Sequence, residues 1–309
     1  MNSFFIKKDR IMKYLKFLLL SSVLFSSVSF AQTLDIKQVT KVIEPKTLNA
    51  NFRRIGLELS STDVKNAIYY KDSPVSQLNA DSQTLIKGIF DFVLEYETNY
   101  FRWDNSVYAE YAETKLKPAD EPADTDESAD KILFSTNYTQ KIWDLKYGSL
   151  GPFFDGAYQT EFTRNNGAPR MSVIRGKVGL KLFDGLVFKD LYLAGVTEYD
   201  ATYSPNVNKT AGEIGFRIEK EIRDGVKFST DGYYRRYFSF SEYETEDLRY
   251  DLNLTARMDV KLNGYLSVGP YLSYRRAHAR GTPVAASNFM VGLSFSYSDL
   301  FNLIKKDEK

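Results

Sequence analysis

Between positions 248 and 262 every second residue is apolar or aromatic (Leu248, Tyr250, Leu252, Leu254, Ala256, Met258, Val260, Leu262), and the residues between them are Arg249, Asp251, Asn253, Thr255, Arg257, Asp259 and Lys261. Successive side chains of a β-strand point to opposite faces. The stretch is therefore one strand with an oily face and an ionic face, sustained for fifteen residues. Strands of water-soluble sheets mostly run to about 5 or 6 residues. A strand tilted across a bilayer needs about 9 to 11 residues to traverse hydrocarbon, and its side chains must alternate between lipid and interior. A secreted two-sheet sandwich would also alternate, with its oily faces forming a core, but it does not call for strands of this length.

The pattern recurs along the chain. One strand sets Ile86, Phe90, Phe92, Leu94, Tyr96 and Tyr100 against Lys87, Asp91, Glu95, Glu97 and Asn99, and another sets Ile174, Val178, Leu180 and Leu182 against Arg175, Lys177 and Lys181. Tight-turn signals fall at Trp103-Asp104-Asn105, Tyr147-Gly148, Asp184-Gly185, Asp224-Gly225 and Asn263-Gly264, four of them carrying the Gly that hairpins favour. Between them lie longer polar connections at 65–82, 117–130, 165–169, 205–208, 241–245 and 280–283. Short turns alternating with longer loops are the mark of an up-and-down meander whose two ends face different surroundings. The segments number twelve: 52–64, 83–100, 105–117, 131–146, 151–164, 170–183, 188–204, 209–222, 226–240, 246–262, 265–278 and 285–298. In the fourth, Ile132, Phe134 and Tyr138 share a parity that Trp143, Leu145 and Tyr147 do not, which places a bulge near Gln140. The fold class is all-β, a transmembrane antiparallel barrel. Its 22 Tyr and 22 Phe against 2 Trp and 1 His suit strands and membrane interfaces. Two aromatic girdles are expected, Tyr100, Trp103, Trp143, Tyr147, Phe183, Phe188 and Tyr265 at the short-turn side and Tyr203, Phe238, Phe240, Tyr250 and Tyr274 at the other.

The first thirty-one residues carry Lys7, Lys8, Arg10, Lys13 and Lys16, then an apolar run over 17–30 closing in Ser29-Phe30-Ala31. That is the pattern of an export signal cut before Gln32. The run is shorter than the ~20 residues of a spanning helix. The expected layout is a signal peptide at 1–31, a periplasmic segment or small plug at 32–51, a barrel at 52–301 and a polar tail at 302–309. Removing the signal takes away five positive charges and one negative, moving the net charge from +1 to about −3. No nucleic-acid partner is expected, because the basic footprint is missing. The absence of cysteine excludes a lipid-anchored lipoprotein and a disulfide framework.

Residues 288–301, NFMVGLSFSYSDLF, alternate Phe289, Val291, Leu293, Phe295 and Tyr297 and reach Phe301. This segment resembles the closing strand of Gram-negative outer-membrane β-barrels, although Asp299 interrupts the parity and eight residues follow Phe301. The resemblance implies a monomer in the outer membrane, inserted by the barrel-assembly machinery, with short periplasmic turns and longer extracellular loops.

Chemistry narrows the functional classes. The lone His278 is followed by Ala279 and Arg280, so the His-x-Ser arrangement that gives a Ser nucleophile its base is absent, and no enzymatic role is expected. One His and no Cys leave no zinc or copper site, and the acid-rich 117–130, with Pro118 and Pro122, reads as a solvated loop rather than a calcium site. Neither metal nor cofactor is expected. The candidate residues are those of the ionic face: Glu95, Glu97, Glu110, Glu161, Arg175, Lys177, Lys181, Arg217, Arg235, Arg249, Asp251, Arg257 and Asp259. Separated by water, such charges line a selective path for small polar or charged solutes. In contact, they make a salt-bridged plug. Twelve strands enclose far less than the 16 to 18 of a wide aqueous pore. A narrow passive channel is the first expectation, a non-conducting barrel working through its loops the second, and a lipid enzyme the third.

Overall fold

The long alternating segments form strands that close on themselves. The computed structural model describes residues 45–70, 76–79, 84–116, 124–163, 169–202, 204–242 and 247–305. Its strands are β1 (Pro45–Lys65), β2 (Thr84–Thr98), β3 (Phe101–Leu116), β4 (Asp124–Gln140), β5 (Trp143–Leu145), β6 (Gly148–Thr160), β7 (Val173–Phe183), β8 (Phe188–Asp200), β9 (Val207–Arg223), β10 (Val226–Phe240), β11 (Leu248–Asn263), β12 (Leu266–Ala279) and β13 (Ala286–Lys305). Apart from β4 and β5, which both pair with β6, each pairs antiparallel with its sequence neighbours, and β1 pairs with β13 from Thr47↔Lys305 to Lys65↔Ser287. Because β5 continues β4 on the same partner, β6, the ring is a closed barrel of twelve strands. Closure gives every strand two neighbours and leaves no unpaired edge.

The pleat sorts the side chains. Val178, Leu193 and Ile214 stand exposed on the outer wall, as do Phe289, Val291 and Leu293 of the closing strand. On the inner wall lie charged groups, among them the buried Glu58, Lys87, Glu213, Arg235 and Asp251. An apolar exterior around a charged interior inverts a soluble protein and matches a membrane barrel. Among the described residues no helix is long and apolar enough to cross a membrane.

Several expectations shift. The first short turn lies at Thr98 to Phe101, where the Thr98 hydroxyl accepts the backbone N–H groups of Tyr100 (3.1 Å) and Phe101 (3.0 Å). Side-chain capping by Thr defines this turn, and Trp103, Asp104 and Asn105 belong to β3. The closing pair also outlasts the expected boundaries. Residues 45–51, expected in the periplasmic segment, and 302–305, expected in the tail, extend β1 and β13 because each supplies the other's hydrogen-bond partners. The segment 32–44 and the signal peptide at 1–31 lie outside the described residues, as do 117–123. From Asp124 the acid-rich segment is strand, paired with β3 as far as Leu116↔Asp124. The break after Gln140 separates β4 from β5, with Lys141 N–H donating to Tyr100 O at 2.6 Å and Ile142 N–H to Leu150 O at 3.3 Å. Phe183 and Phe240 leave the girdles and are buried inside the barrel. Phe183 shares the inward parity of Lys181, and a register shift between Tyr237 and Ser239 turns Phe240 inward. Tyr203 lies outside the described residues.

Inward glycines set how closely the wall can fold. A Cβ on Gly269 would overlap the Met258 carbonyl oxygen, whereas one on Gly264 would meet nothing within 4 Å. Gly269→Val is expected to abolish the heat-modifiable band that marks a folded barrel on a gel. Gly264→Ala, at the β11–β12 turn, should leave it unchanged.

Candidate functional site

Inside the barrel, charges from non-adjacent strands meet, and this identifies the lumen. The densest cluster spans β7 to β10. Arg235 contacts Glu198 and Glu213, each at 2.6 Å, Arg175 contacts Glu198 at 2.6 Å, and Lys177 contacts Glu213 at 2.7 Å. The Tyr192 hydroxyl donates to Glu213 at 2.6 Å. Only 1 % of Glu213 and 5 % of Arg235 is exposed, so this side of the lumen is sealed by ion pairs.

A second cluster involves the closing strands. A register irregularity between Phe52 and Ile55 lets both Arg53 and Arg54 reach inward. Arg53 pairs with Glu95 at 3.1 Å, and Arg54 contacts Glu58 and the Ser294 hydroxyl. Glu58 also pairs with Lys87 at 2.8 Å, and Lys87 lies 3.8 Å from Glu110, which accepts the Tyr108 hydroxyl at 2.8 Å. At the short-turn rim, Lys141 pairs with Glu97 at 2.6 Å, Arg217 with Asp190 at 2.9 Å, and Arg257 with Asp259 at 2.7 Å. Lys181 contacts Asn137 Oδ1 at 2.7 Å and Asp190 at 3.8 Å.

The loop-side mouth is occupied from within. After β1 the chain forms a 3-10 turn, Ala67–Tyr70, and then a short helix, α1 (Ser76–Asn79). Tyr70 and Leu78 are buried against Ala277, Ala279 and Ala286, small side chains of the inner wall. The Tyr70 hydroxyl donates to Val284 O at 2.8 Å, and Gln77 O accepts Asn288 Nδ2 at 2.6 Å. Gln77 Oε1 accepts Arg275 Nη1 at 3.4 Å, and Arg275 also holds Asp251 at 2.8 Å, with Tyr233 donating to the same carboxylate at 2.8 Å. Helix α1 lies near the paired β13 and β1 and also near β4, three strands away around the ring, a set that only a position inside the barrel reaches. The described part of 65–82 is thus not the outward loop expected; a bare alanine wall gives its apolar residues a seat away from water.

Of the remaining candidates, Glu161 is buried and accepts the Met171 N–H at 2.9 Å, at the loop side of β6. Arg249 stands exposed at a register shift between Leu248 and Tyr250, its guanidinium donating to Arg280 O at 3.3 Å; the irregularity moves it from the lumen wall to the rim. His278 lies beside Tyr250 on the outer wall, Nε2 3.2 Å from Thr282 O. Among the described residues no group of three or more His, Cys, Asp or Glu is disposed to hold a metal ion.

Not all the lumen is paired. Asp231 faces inward, beside Arg217 on β9 and Thr255 on β11, yet it is exposed and has no cation within 4 Å among the described residues. Asp91, on the opposite wall, is likewise outside any ion pair of that length and lies in the field of Arg53, Arg217 and Arg257. A cavity of about 180 Å³ in the same half is bordered by Asn137, Asp155, Lys177, Lys181, Asp190 and Arg217.

Alternation alone missed Glu198, Arg54 and the Tyr70–Leu78 insertion. Glu198 shares its face with Tyr192, Ala194 and Val196, so the oily-versus-ionic contrast is weak there. Arg54 shares the parity of the inward Glu58, but the adjacent Arg53, turned inward by the register irregularity, breaks the oily-versus-ionic contrast there. For Tyr70 and Leu78, the signal was two apolar residues in a polar connection.

Residues 77–165 match the family model described as Protein of unknown function (DUF3078). No curated protein matches. Similar solved structures include the COG4313 outer membrane channel from Pseudomonas putida F1, 8% identical over 86% of this chain and 100% of that one, with a TM-score of 0.46. The NanC porin is 11% identical over 77% and 98%, TM-score 0.37. The CymD monoaromatic hydrocarbon channel is 9% identical over 83% and 89%, TM-score 0.38.

The β7–β10 cluster makes a stability prediction. Arg235→Met leaves two buried carboxylates short of a counter-charge, and breaking a buried pair from one side costs about 3 to 5 kcal/mol. Urea unfolding of the detergent-folded barrel should show a loss of that order. Glu219→Gln, which breaks the more exposed pair with Lys227 (2.7 Å), should change it by less than about 1 kcal/mol.

Proposed function

We propose that this protein is an outer-membrane barrel with a narrow, charge-lined passage for small polar or charged solutes, constricted on its loop side by Tyr70, Gln77 and Leu78. The observation that carries this reading is Asp231: a carboxylate on the inner wall, exposed to solvent and without a cation within 4 Å among the described residues. A charge left unpaired in a dry interior is strongly disfavoured, so Asp231 is consistent with water inside the short-turn half. The apolar outer wall supports a bilayer as its surroundings, reached through the assembly machinery as a monomer. The sealed cluster around Arg235 favours a second reading, a closed scaffold, and conduction separates the two.

In planar bilayers the folded protein should give small discrete conductance steps. Replacing Asp91 and Asp231 together by Asn should shift ion selectivity toward anions, because two negative charges leave the water-filled half. Tyr70→Ala with Leu78→Ala should raise the single-channel conductance by loosening the inserted segment. A correctly folded protein that stays electrically silent, including in the Tyr70/Leu78 variant, would replace the channel reading with the closed scaffold.

A further inference from the structure

Two arginines of the described outer wall stand where apolar side chains are the rule. Arg236 on β10 and Arg276 on β12 both point outward and are exposed, and neither has a carboxylate within 4 Å among the described residues. They flank β11: Arg236 pairs directly with Tyr250, and Arg276 with Leu252, the next outward residue of that strand. Arg276 lies within hydrogen-bonding reach of the Tyr250 and Tyr274 side chains. Two strand spacings separate β10 from β12, about 10 Å, a gap that two long guanidinium arms bridge to one anion. Arg249 adds a third exposed cation at the adjoining rim. Of the described carboxylates two residues from Arg249, Asp247 lies 3.7 Å from Lys209 and Asp251 is held by Arg275 inside the barrel; residues 243–246 lie outside the described residues.

The same wall is indented. A groove of about 930 Å³ runs obliquely over the barrel's exterior, its floor made by Asn105, Thr136, Gly156, Gly176 and Thr197, which oppose one another in register from β3 to β8. Phe134 and Tyr158 rise on one flank and Phe154 on the other. The floor row continues in register through Thr210 to Ser239. The row beside it passes through Gly195 and Gly212 to Arg236. The groove climbs toward the loop end of the barrel and its lining ends at Thr197 and Tyr199 on β8; the small side chains of Thr210 and Ser239 carry the floor row on to β10, the strand of Arg236. A hollow on an apolar wall takes an apolar chain, and paired guanidiniums on the strands beyond its loop-side end take a phosphate, by charge and by bidentate geometry.

We propose that this wall binds one phosphate-bearing lipid of the loop-side leaflet, with its headgroup between Arg236 and Arg276 and an acyl chain in the groove. The charge complementarity selects an anionic lipid over a second copy of the barrel, whose matching wall would bring the same unpaired cations together. The assignment is independent of whether the lumen conducts.

The test uses the full mature chain in phosphatidylcholine nanodiscs containing phosphatidic acid, followed by gentle extraction and native mass spectrometry. The expected result is one phosphatidic acid retained per barrel. Arg236→Gln with Arg276→Gln should weaken retention about ten-fold or more, while Lys220→Gln with Arg223→Gln, on the opposite end of β9, should leave it unchanged. Gly156→Leu with Gly176→Leu fills the groove at positions where an added Cβ meets nothing closer than 3.4 Å, and should reduce retention with both arginines in place. Heat-modifiable migration verifies that each variant is folded. Equal retention in the arginine variant, or equal loss in the Lys220/Arg223 variant, would overturn the site. Inorganic phosphate that blocks retention as well as the lipid does, or groove filling without effect, would overturn the lipid as its occupant.

Discussion

Closure of the hydrogen-bond ladder between the first and last strands is the constraint on which the rest depends. A membrane interior offers no water to an unpaired N–H or C=O, so a spanning sheet must end on itself. Here β1 and β13 meet over the whole of β1's described register, from Thr47↔Lys305 to Lys65↔Ser287. That pairing extends the strands at both termini. It also brings Ser294 beside Arg54 and Asn288 beside α1, so that the closing strands build part of the interior as well as the wall.

Closing a sheet whose faces are oily and ionic forces the ionic side chains into a confined space. The wall answers in two ways. Around Glu198, Glu213 and Arg235 the charges are in contact and almost excluded from water. Near Asp231 they stand apart, and solvent reaches the carboxylate. A purely structural interior would gain as much from well-packed apolar residues as from buried ion pairs. Under the proposed channel reading the charges line a partly wet passage, with the sealed cluster holding its shape.

The exterior follows the opposite logic. Lipid asks only for apolar side chains, so Arg236 and Arg276 and the glycine-floored groove stand out against the wall. The groove lies between β3 and β8 and the arginines on β10 and β12, and both features come from register. The glycines of β6 and β7 are consecutive in the floor only because Gly156 opposes Gly176.

Alternation in residues such as Leu254 and Met258 against Arg257 and Asp259 was enough to read strands, their two faces, the barrel class and the break after Gln140. These follow from local geometry, since period-two patterning needs no knowledge of partners. Which charges touch was beyond that reading. Lys177 meets Glu213 across thirty-six positions of sequence, and the separation of neighbours on a closed wall depends on strand register. The inward fold of Tyr70 and Leu78 was likewise undecided, because a connection's direction is set by the alanine seat that β12 and β13 assemble. The amino-acid order thus dictates which face each side chain takes, and the closed tertiary structure decides whether the charges on that face pair, stay wet or meet an inserted segment.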